Sequence, residues 1–416
     1  MRAVMVGLLA AMTTQAQALL DNPQKIADAQ RFFDTVHGSP VRCEVFPLKP
    51  RLAFSLRVVS GYFWRLHLSG AQVAGQKWIV LAKVTPKDGN ASPAYFSDVV
   101  QFSGNGDLSV EAQMGHFALG EGRYEMSFLM FDDRGRTCRK DAQIDAHLTS
   151  SEREIGAGLP PNTIASASSW SSPAQVQPLG TSHLDRLTIL LDVSDQARTT
   201  DQSTLMDALT GLLEELPAPS VRLVLFDLAQ QKEVWRRDGF RPESLPEVAK
   251  AMAAVQFEAV PVGALKNQSA GVDLIQSLAN REIQAPEPAD AVVFLGQPSP
   301  LKGKPAAEMA RPGTKPQFFY VVCPAVRVRR YYSSGGMIDE NSVPISMGRV
   351  TPSTVGTAGP MAGIPIPASI PGTTGRGPDS IEYVVDQLAG KTLRVDSPDG
   401  FAKAVGEIAR TLGSQK

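Results

Sequence analysis

The sequence predicts a multidomain protein, an N-terminal antiparallel β-sandwich followed by an α/β domain on a mostly parallel central sheet. Three observations predict it. From about residue 40 to 150, short aromatic and β-branched runs are separated by Gly, Asn, Asp and Pro at sandwich-like intervals. From Asp185 onward, apolar runs alternate with amphipathic helical segments, the pattern of a parallel sheet covered on both faces. Between the two, residues 151–184 turn to Ser, Pro, Ala and Gly, as a linker does. With 416 residues the chain has room for both cores.

The chain opens "MRAVMVGLLAAMTTQAQA", with one early Arg, a short apolar core and Ala16-Gln17-Ala18. Residues 1–18 read as a secretory signal peptide, too short to span a bilayer, and the mature chain is expected to start near Leu19. No Cys follows that point, so no lipid anchor is expected. The protein is therefore expected to be exported, periplasmic or secreted. Its formal charge is −1 and falls to −2 with the loss of Arg2, which gives no electrostatic reason to expect nucleic acid as a partner. No later stretch is long and apolar enough for a transmembrane span.

Residues 19–39 form an N-terminal extension whose "PQKIADAQRFFDTV" predicts a helix. In the β region, "RLAFSLRVV", "YFWRLHL", "KWIVLAKV", "AYFSDVV", "DLSVEAQ" and "RYEMSFLMFD" read as strands. Cys43 and Cys138 lie at opposite ends of this segment and are expected to pair, since export permits disulfides. Closing so long a loop stabilises by about 4–5 kcal/mol on the chain-entropy model. Cys323 sits in the apolar run "FFYVVC" and reads as a buried thiol.

In the second domain "LTILLDVS" is a strand, and "STLMDALTGLLEEL" is a helix with Ser203 placed to cap it and Pro217 to stop it. "SVRLVLFDL" is a strand and "EVWRRDGF" an antiparallel edge strand. "SLPEVAKAMAAV" and "SAGVDLIQSLANREI" are helices, and "ADAVVFLG" and "QFFYVVC" strands. "DSIEYVVDQLAG" is a helix opened by Asp379 and Glu382 and closed by Gly390. "KTLRVDS" and "DGFAKAVGEIARTLG" supply the last strand and helix. A Gly/Pro-rich insertion at about 325–377 interrupts the pattern, and a loop of that length is functional or disordered.

The strand ending Asp192-Val-Ser194, the amphipathic helix after it and the order of elements to the final strand and helix resemble a von Willebrand factor type A (VWA) domain, over about Leu187 to Leu412. With the signal peptide and the β domain, including "GEGRYEMSFLMFDDRGRTCRKDAQIDAHL", the chain is similar to secreted VWA-related proteins of environmental bacteria such as acidobacteria. The resemblance implies a Rossmann-like sheet carrying a metal-ion-dependent adhesion site at the C-terminal strand ends. The family motif is Asp-x-Ser-x-Ser, a Thr on a second loop and an Asp on a third, because Mg²⁺ demands six oxygens and enough negative charge to offset its dehydration. Asp192 and Ser194 match, Gln196 replaces the second Ser, and Ser269 stands for the Thr. The third loop reads Gly296-Gln297-Pro298 where the family expects Asp. The candidate metal set is thus Asp192, Ser194 and Ser269, a degenerate site, and the expectation is that Asp192 and Ser194 hydrogen-bond the loop and hold its shape.

No catalytic motif is present: no nucleophile elbow, P-loop or G-x-G-x-x-G, and no H-E-x-x-H among the five histidines. A triad including His183 and Asp192 remains a geometric alternative. "VRVRRYY" places Arg327, Arg329, Arg330, Tyr331 and Tyr332 after a strand. Arg and Tyr are enriched at interfaces, so this is a candidate partner-binding stretch, and a solvated basic strand end explains it equally. The sequence therefore leads to an exported, non-catalytic adhesion-type module with no cofactor, binding an unidentified protein in the cell envelope or beyond it. The alternatives are metal-dependent adhesion through an incomplete Mg/Mn site and an envelope hydrolase.

Overall fold

A computed structural model describes residues 17–67, 76–88, 91–101, 111–154, 158–167, 184–194, 199–255, 269–299, 309–310, 313, 315–323 and 379–413. Most of the expected signal peptide, much of the expected linker and all of the 325–377 insertion lie outside these residues, as do Arg327, Arg329, Arg330, Tyr331 and Tyr332. The chain divides into two compact units, Met1–Gln177 and Pro178–Lys416.

The first unit runs β1 (Ala18–Leu19), α1 (Pro23–Thr35), β2 (Ser39–Pro40), β3 (Cys43–Leu52), β4 (Val58–Leu66), β5 (Lys77–Pro86) and β6 (Ala94–Gln101). It continues with β7 (Glu111–Leu119), β8 (Gly122–Asp132), β9 (Arg136–Ala146), α2 (Ser150–Glu154) and β10 (Ile164–Ser166). Two sheets result, in the orders β1-β6-β5-β8-β9-β2 and β10-β7-β4-β3. Every pairing is antiparallel except that of β2 with β9. Side chains alternate across a strand, so each sheet turns one apolar row inward. Tyr62, Trp64 and Phe117 from the smaller sheet pack with Trp78, Phe96, Tyr124 and Phe128 from the larger in one core. Helix α1 lays Ala29 and Phe33 over Leu81, Tyr95, Leu129 and Phe131, on the larger sheet's other face. Asn22 caps the helix, accepting from the amides of Gln24 at 2.9 Å and Lys25 at 3.3 Å. Cys43 on β3 and Cys138 on β9 form a disulfide, with Cα atoms 6.1 Å apart, that ties one sheet to the other.

Three expectations need correction here. "RLAFSLRVV" is the end of β3, a turn at 53–57 with Leu56 at φ 57°, and the start of β4. The strand β9 was not expected, because its outward positions are Arg139, Asp141 and Gln143, which mute the apolar signal. The expected linker over 151–184 begins inside α2 and includes β10, the edge strand paired with β7. The tail of that segment falls outside the described residues.

The second unit runs β11 (Arg186–Asp192), α3 (Thr199–Glu215), β12 (Ser220–Asp227), β13 (Lys232–Arg237), α4 (Leu245–Ala254) and α5 (Ala270–Ile283). It ends with β14 (Ala291–Gly296), β15 (Gln317–Val322), α6 (Ser380–Gln387), β16 (Lys391–Arg394) and α7 (Pro398–Gly413). One six-stranded sheet has the order β13-β12-β11-β14-β15-β16, parallel throughout except for the antiparallel edge strand β13. Leu190, Val224, Phe226, Val292, Phe294 and Tyr320 pack against α5 and α6 on one face. Alternate residues Ile189, Leu191, Val293 and Leu295 are buried on the opposite face, where α3 lies on β14 and α7 on β15 and β16. Being covered twice explains why these strands are continuous apolar runs rather than alternating ones.

Helix α3 begins at Thr199, so Ser203 is inside it rather than its cap. At the end of α6 the left-handed residue is Ala389, with φ 52°, and the amide of Gly390 closes the turn on the Val385 carbonyl at 2.9 Å. A Cβ on Gly390 would come within 2.7 Å of the Phe318 carbonyl oxygen. The glycine is there for close approach to β15, not for its dihedral.

Candidate rim site at the ends of the parallel strands

In this sheet the chain moves from β11 outward to β12 and β13, and then from β14 outward the other way. Strand order therefore reverses between β11 and β14, where open α/β sheets form a crevice beyond the carboxyl ends of the strands. Asp192 ends β11 and Gly296 ends β14.

Asp192 is 4% exposed. Its Oδ1 accepts the Ser194 amide at 2.9 Å and also the Ser194 hydroxyl. The same hydroxyl oxygen accepts the Leu228 amide at 2.6 Å. The one proton of Ser194 Oγ is thus committed to Asp192, and a lone pair to the residue just after β12. This chain of bonds ties the β11 loop to the β12 loop. Gly296 closes the other side, since a Cβ there would stand 2.6 Å from Asp192 Cβ. Any side chain at 296 forces Asp192 or the strand to move.

Two further carboxylates face this rim. Asp227, at the end of β12, accepts the Gln230 amide at 2.9 Å. Asp379 caps α6, accepting the amides of Ile381 at 2.9 Å and Glu382 at 3.0 Å, and its other oxygen accepts the Ser299 amide at 2.6 Å. Burial pushes Asp192 up to about 7, and the charges of Asp227 and Asp379 add to that while the Ser194 bonds oppose it. Burial also raises Asp379. Tyr320 donates to the Gln297 carbonyl at 3.0 Å, and burial raises its phenol, helped by Asp379 and Asp192. Cys323 is a buried free thiol whose amide donates to the Gly296 carbonyl at 2.8 Å, and burial lifts the thiol to about 12. That pKa leaves it protonated and unreactive near neutral pH.

Ser269 precedes α5, and its hydroxyl donates to Asp273 Oδ2, 3.1 Å away on the same helix. That helix starts against the β12 loop, since a Cβ on Gly271 would be 3.7 Å from the Leu228 carbonyl oxygen. Of the predicted set, Asp192 and Ser194 are hydrogen-bonded to each other, and Ser269 is engaged on its own helix. Gln196 and His183 lie outside the described residues.

These donors do not fit a Mg²⁺ or Mn²⁺ site. A lone pair of Ser194 Oγ already accepts the Leu228 amide, Ser269 is engaged with Asp273, and position 296 has no room for the side chain that would carry a third-loop carboxylate. Mg²⁺ requires near-octahedral oxygen ligation with charge to match. Among the described residues no three His, Cys, Asp or Glu side chains are grouped to hold an ion.

Asp227, Asp379 and Tyr320 escaped the sequence reading of the site. "LFD" at the end of β12 repeats the "LLD" of β11 and was a usable signal for Asp227. Asp379 reaches the rim only through the fold, 80 residues from Ser299. A second polar cluster lies away from the rim. Fully buried Glu282 accepts Thr188 Oγ1 at 2.9 Å and Arg222 Nη1 at 2.8 Å, and pairs with Arg236 at 3.5 Å. It pins α5 to β11, β12 and β13, a structural task.

The fold and this rim define a two-unit chain of mixed sheets with α/β character in its second unit. No protein-family model and no curated protein sequence matches it. Among solved structures it is similar to a putative ApaA protein from Bordetella pertussis, at 8% identity and a TM-score of 0.19, covering 27% of this chain and 100% of that one. It is also similar to an aerotolerance-related membrane protein from Bacteroides fragilis, at 12% identity and a TM-score of 0.25, covering 54% of this chain and 98% of that one. Likenesses at these scores carry no functional argument. No helix among the described residues is long and apolar enough to cross a membrane.

Proposed function

We propose that this is an exported, non-catalytic binding protein: a β-sandwich followed by a VWA-like domain that captures a protein partner with the C-terminal rim of its parallel sheet, without a metal ion. The binding edge comprises the loops at 192–196, 267–270 and 296–299. The insertion at about 325–377 and its "VRVRRYY" stretch lie next in the chain to β15 and supply further contacts. Aromatic and Arg side chains are the common anchors of such contacts.

One observation carries the metal-free reading. The position where an adhesion site needs its third-loop carboxylate is Gly296, packed so closely on Asp192 that a Cβ would fall 2.6 Å from Asp192 Cβ. With Ser194 bonded to Asp192 and Leu228, the rim loops are held by their own hydrogen bonds, which supports a metal-free reading. Calorimetric titration of the full chain with Mg²⁺, Mn²⁺ and Ca²⁺, alongside Asp192→Ala, tests it. No binding heat in either protein is expected. Micromolar binding that disappears in Asp192→Ala would overturn the metal-free reading and restore metal-dependent adhesion.

A further inference from the structure

The opposite end of the second unit's sheet, where its parallel strands begin, carries an open cleft of about 310 Å³. Arg186 opens β11 and Arg222 stands near the start of β12, both on the face that α5 covers. Two carboxylates meet them in the cleft. Glu287 pairs with Arg186 at 2.5 Å, and Asp238 pairs with Arg222, whose Nη1 also donates to buried Glu282 at 2.8 Å. Ser220 adds a hydroxyl to the lining. The cleft is thus lined by two guanidiniums and two carboxylates, alternating in sign and formally neutral. Stiff backbone presents both acids. Glu287 lies between Pro286 and Pro288, which fix their own φ and hold residue 287 extended. Asp238 precedes Gly239, left-handed at φ 62°, in a turn closed by the Phe240 amide on the Val221 carbonyl at 2.7 Å. The amides of Asp185 and Arg186 are pinned to Asp290 Oδ2 at 2.7 and 2.9 Å. A guanidinium has five N–H donors in a planar fork. Asp238 and Glu282 take Nε and Nη1 of Arg222, and Glu287 faces Nη2 of Arg186. Among the described residues, Nη2 of Arg222 and Nε and Nη1 of Arg186 have no partner.

We propose that this cleft binds a small zwitterion of α-amino-acid size, its carboxylate on the unengaged edges of Arg186 and Arg222 and its ammonium against Glu287 and Asp238. A simple anion would meet two carboxylates here, and a simple cation two guanidiniums. A ligand carrying both charges matches both halves of the lining. The bonds it makes are charge-assisted, the stronger kind, and the donors and acceptors are in place before it arrives. Gly239 and Ala289 supply no large apolar wall, so a short side chain or none is favoured. The cleft lies at the far ends of the strands from Asp192, and the proposal does not depend on what the rim binds.

Isothermal titration of the full chain with glycine and with alanine tests this, with acetate and methylammonium as the two separated halves. Saturable binding between roughly micromolar and millimolar is expected for the zwitterions. It should be about tenfold tighter, or more, than for either half. Glu287→Gln and Arg186→Gln change exposed side chains, 70% and 42% accessible, and an exposed ion pair contributes little to stability. Each should therefore weaken glycine binding about tenfold while leaving the melting temperature unchanged. No saturable heat with either amino acid overturns the proposal. So does acetate or methylammonium binding as tightly as glycine, or amino-acid binding that neither substitution weakens.

Discussion

In the first unit the strands alternate apolar and polar residues, and a disulfide joins its two sheets. In the second the central strands are apolar throughout, and its described cysteine is a buried free thiol. The contrast shows where each architecture puts its polar groups. An antiparallel sheet sends every second side chain to its outer face, so Asp141 or Asp145 needs no special accommodation. A parallel sheet covered twice has no such face, so its polar groups are bonded to one another, as Thr188 and Glu282 are, or stand at the ends of elements. Asp192 and Asp227 end strands and Asp379 caps α6, each buried and each held by backbone amides. The rim is where burial raises the carboxyls of Asp192 and Asp379 above the usual carboxylate range.

The largest expected effect falls on the first unit alone. Replacing Cys43 and Cys138 by Ala opens a crosslink spanning 95 residues, and should cost about 4–5 kcal/mol on the chain-entropy model. Calorimetry should show one transition dropping steeply and the other unchanged; a parallel drop in both would mean that the units do not respond separately.

Next comes opposite pH behaviour. Burial, with Arg51, lowers His116 of the first unit to about 4. The folded state therefore leaves this imidazole neutral while the unfolded chain takes a proton between about pH 6.5 and 4. Stability in this unit falls as pH falls through that window, by up to ~3 kcal/mol. Burial raises Glu215 of the second unit to about 7, and neighbouring Glu214 adds to it. There the folded state holds the extra proton, so stability falls as pH rises from about 4 to 7. Melting curves between these limits should show the two transitions moving in opposite directions, and Glu215→Gln should lessen the second, leaving the share carried by Asp192, which burial also raises to about 7. Transitions that move together would break the contrast.

A smaller effect is expected from Gly296→Ala, which drives a methyl against Asp192 and should cost about 1–3 kcal/mol by overpacking. If chemical denaturation finds this variant as stable as the parent, the rim is looser than described. Asn22→Ala removes the cap of α1 and should cost about 1 kcal/mol in the first unit, with no change in the second.

Most of the second unit was legible because strand and helix differ in period, and each element there is long enough to show one. Asp192 and Ser194 were legible because a carboxylate closing an apolar run stands out. Strand β9 was not, since charged residues fill its outward positions and only Ile144 marks the inward row strongly. The turn at 53–57 was lost because "RLAFSLRVV" holds no Gly, Pro, Asn or Asp to mark it, and nothing in "AFSLR" announces a left-handed Leu56. Ala389 takes the left-handed position beside the obvious Gly390 because the glycine is needed against Phe318. Asp379 could be read as a helix cap, a local role, but its bond to Ser299 depends on how β14 and α6 meet in space. Local chemistry shows in sequence; convergence of distant strand ends does not.

The most direct test of the central claim, a rim complete without a metal, is the melting temperature of the second unit with excess chelator and with millimolar Mg²⁺ or Mn²⁺. An ion that binds only the folded state stabilises it by about 2.7 kcal/mol at a hundredfold excess over its Kd. The account predicts superimposable transitions under all three conditions. An upward shift with either ion that Asp192→Ala abolishes would contradict it.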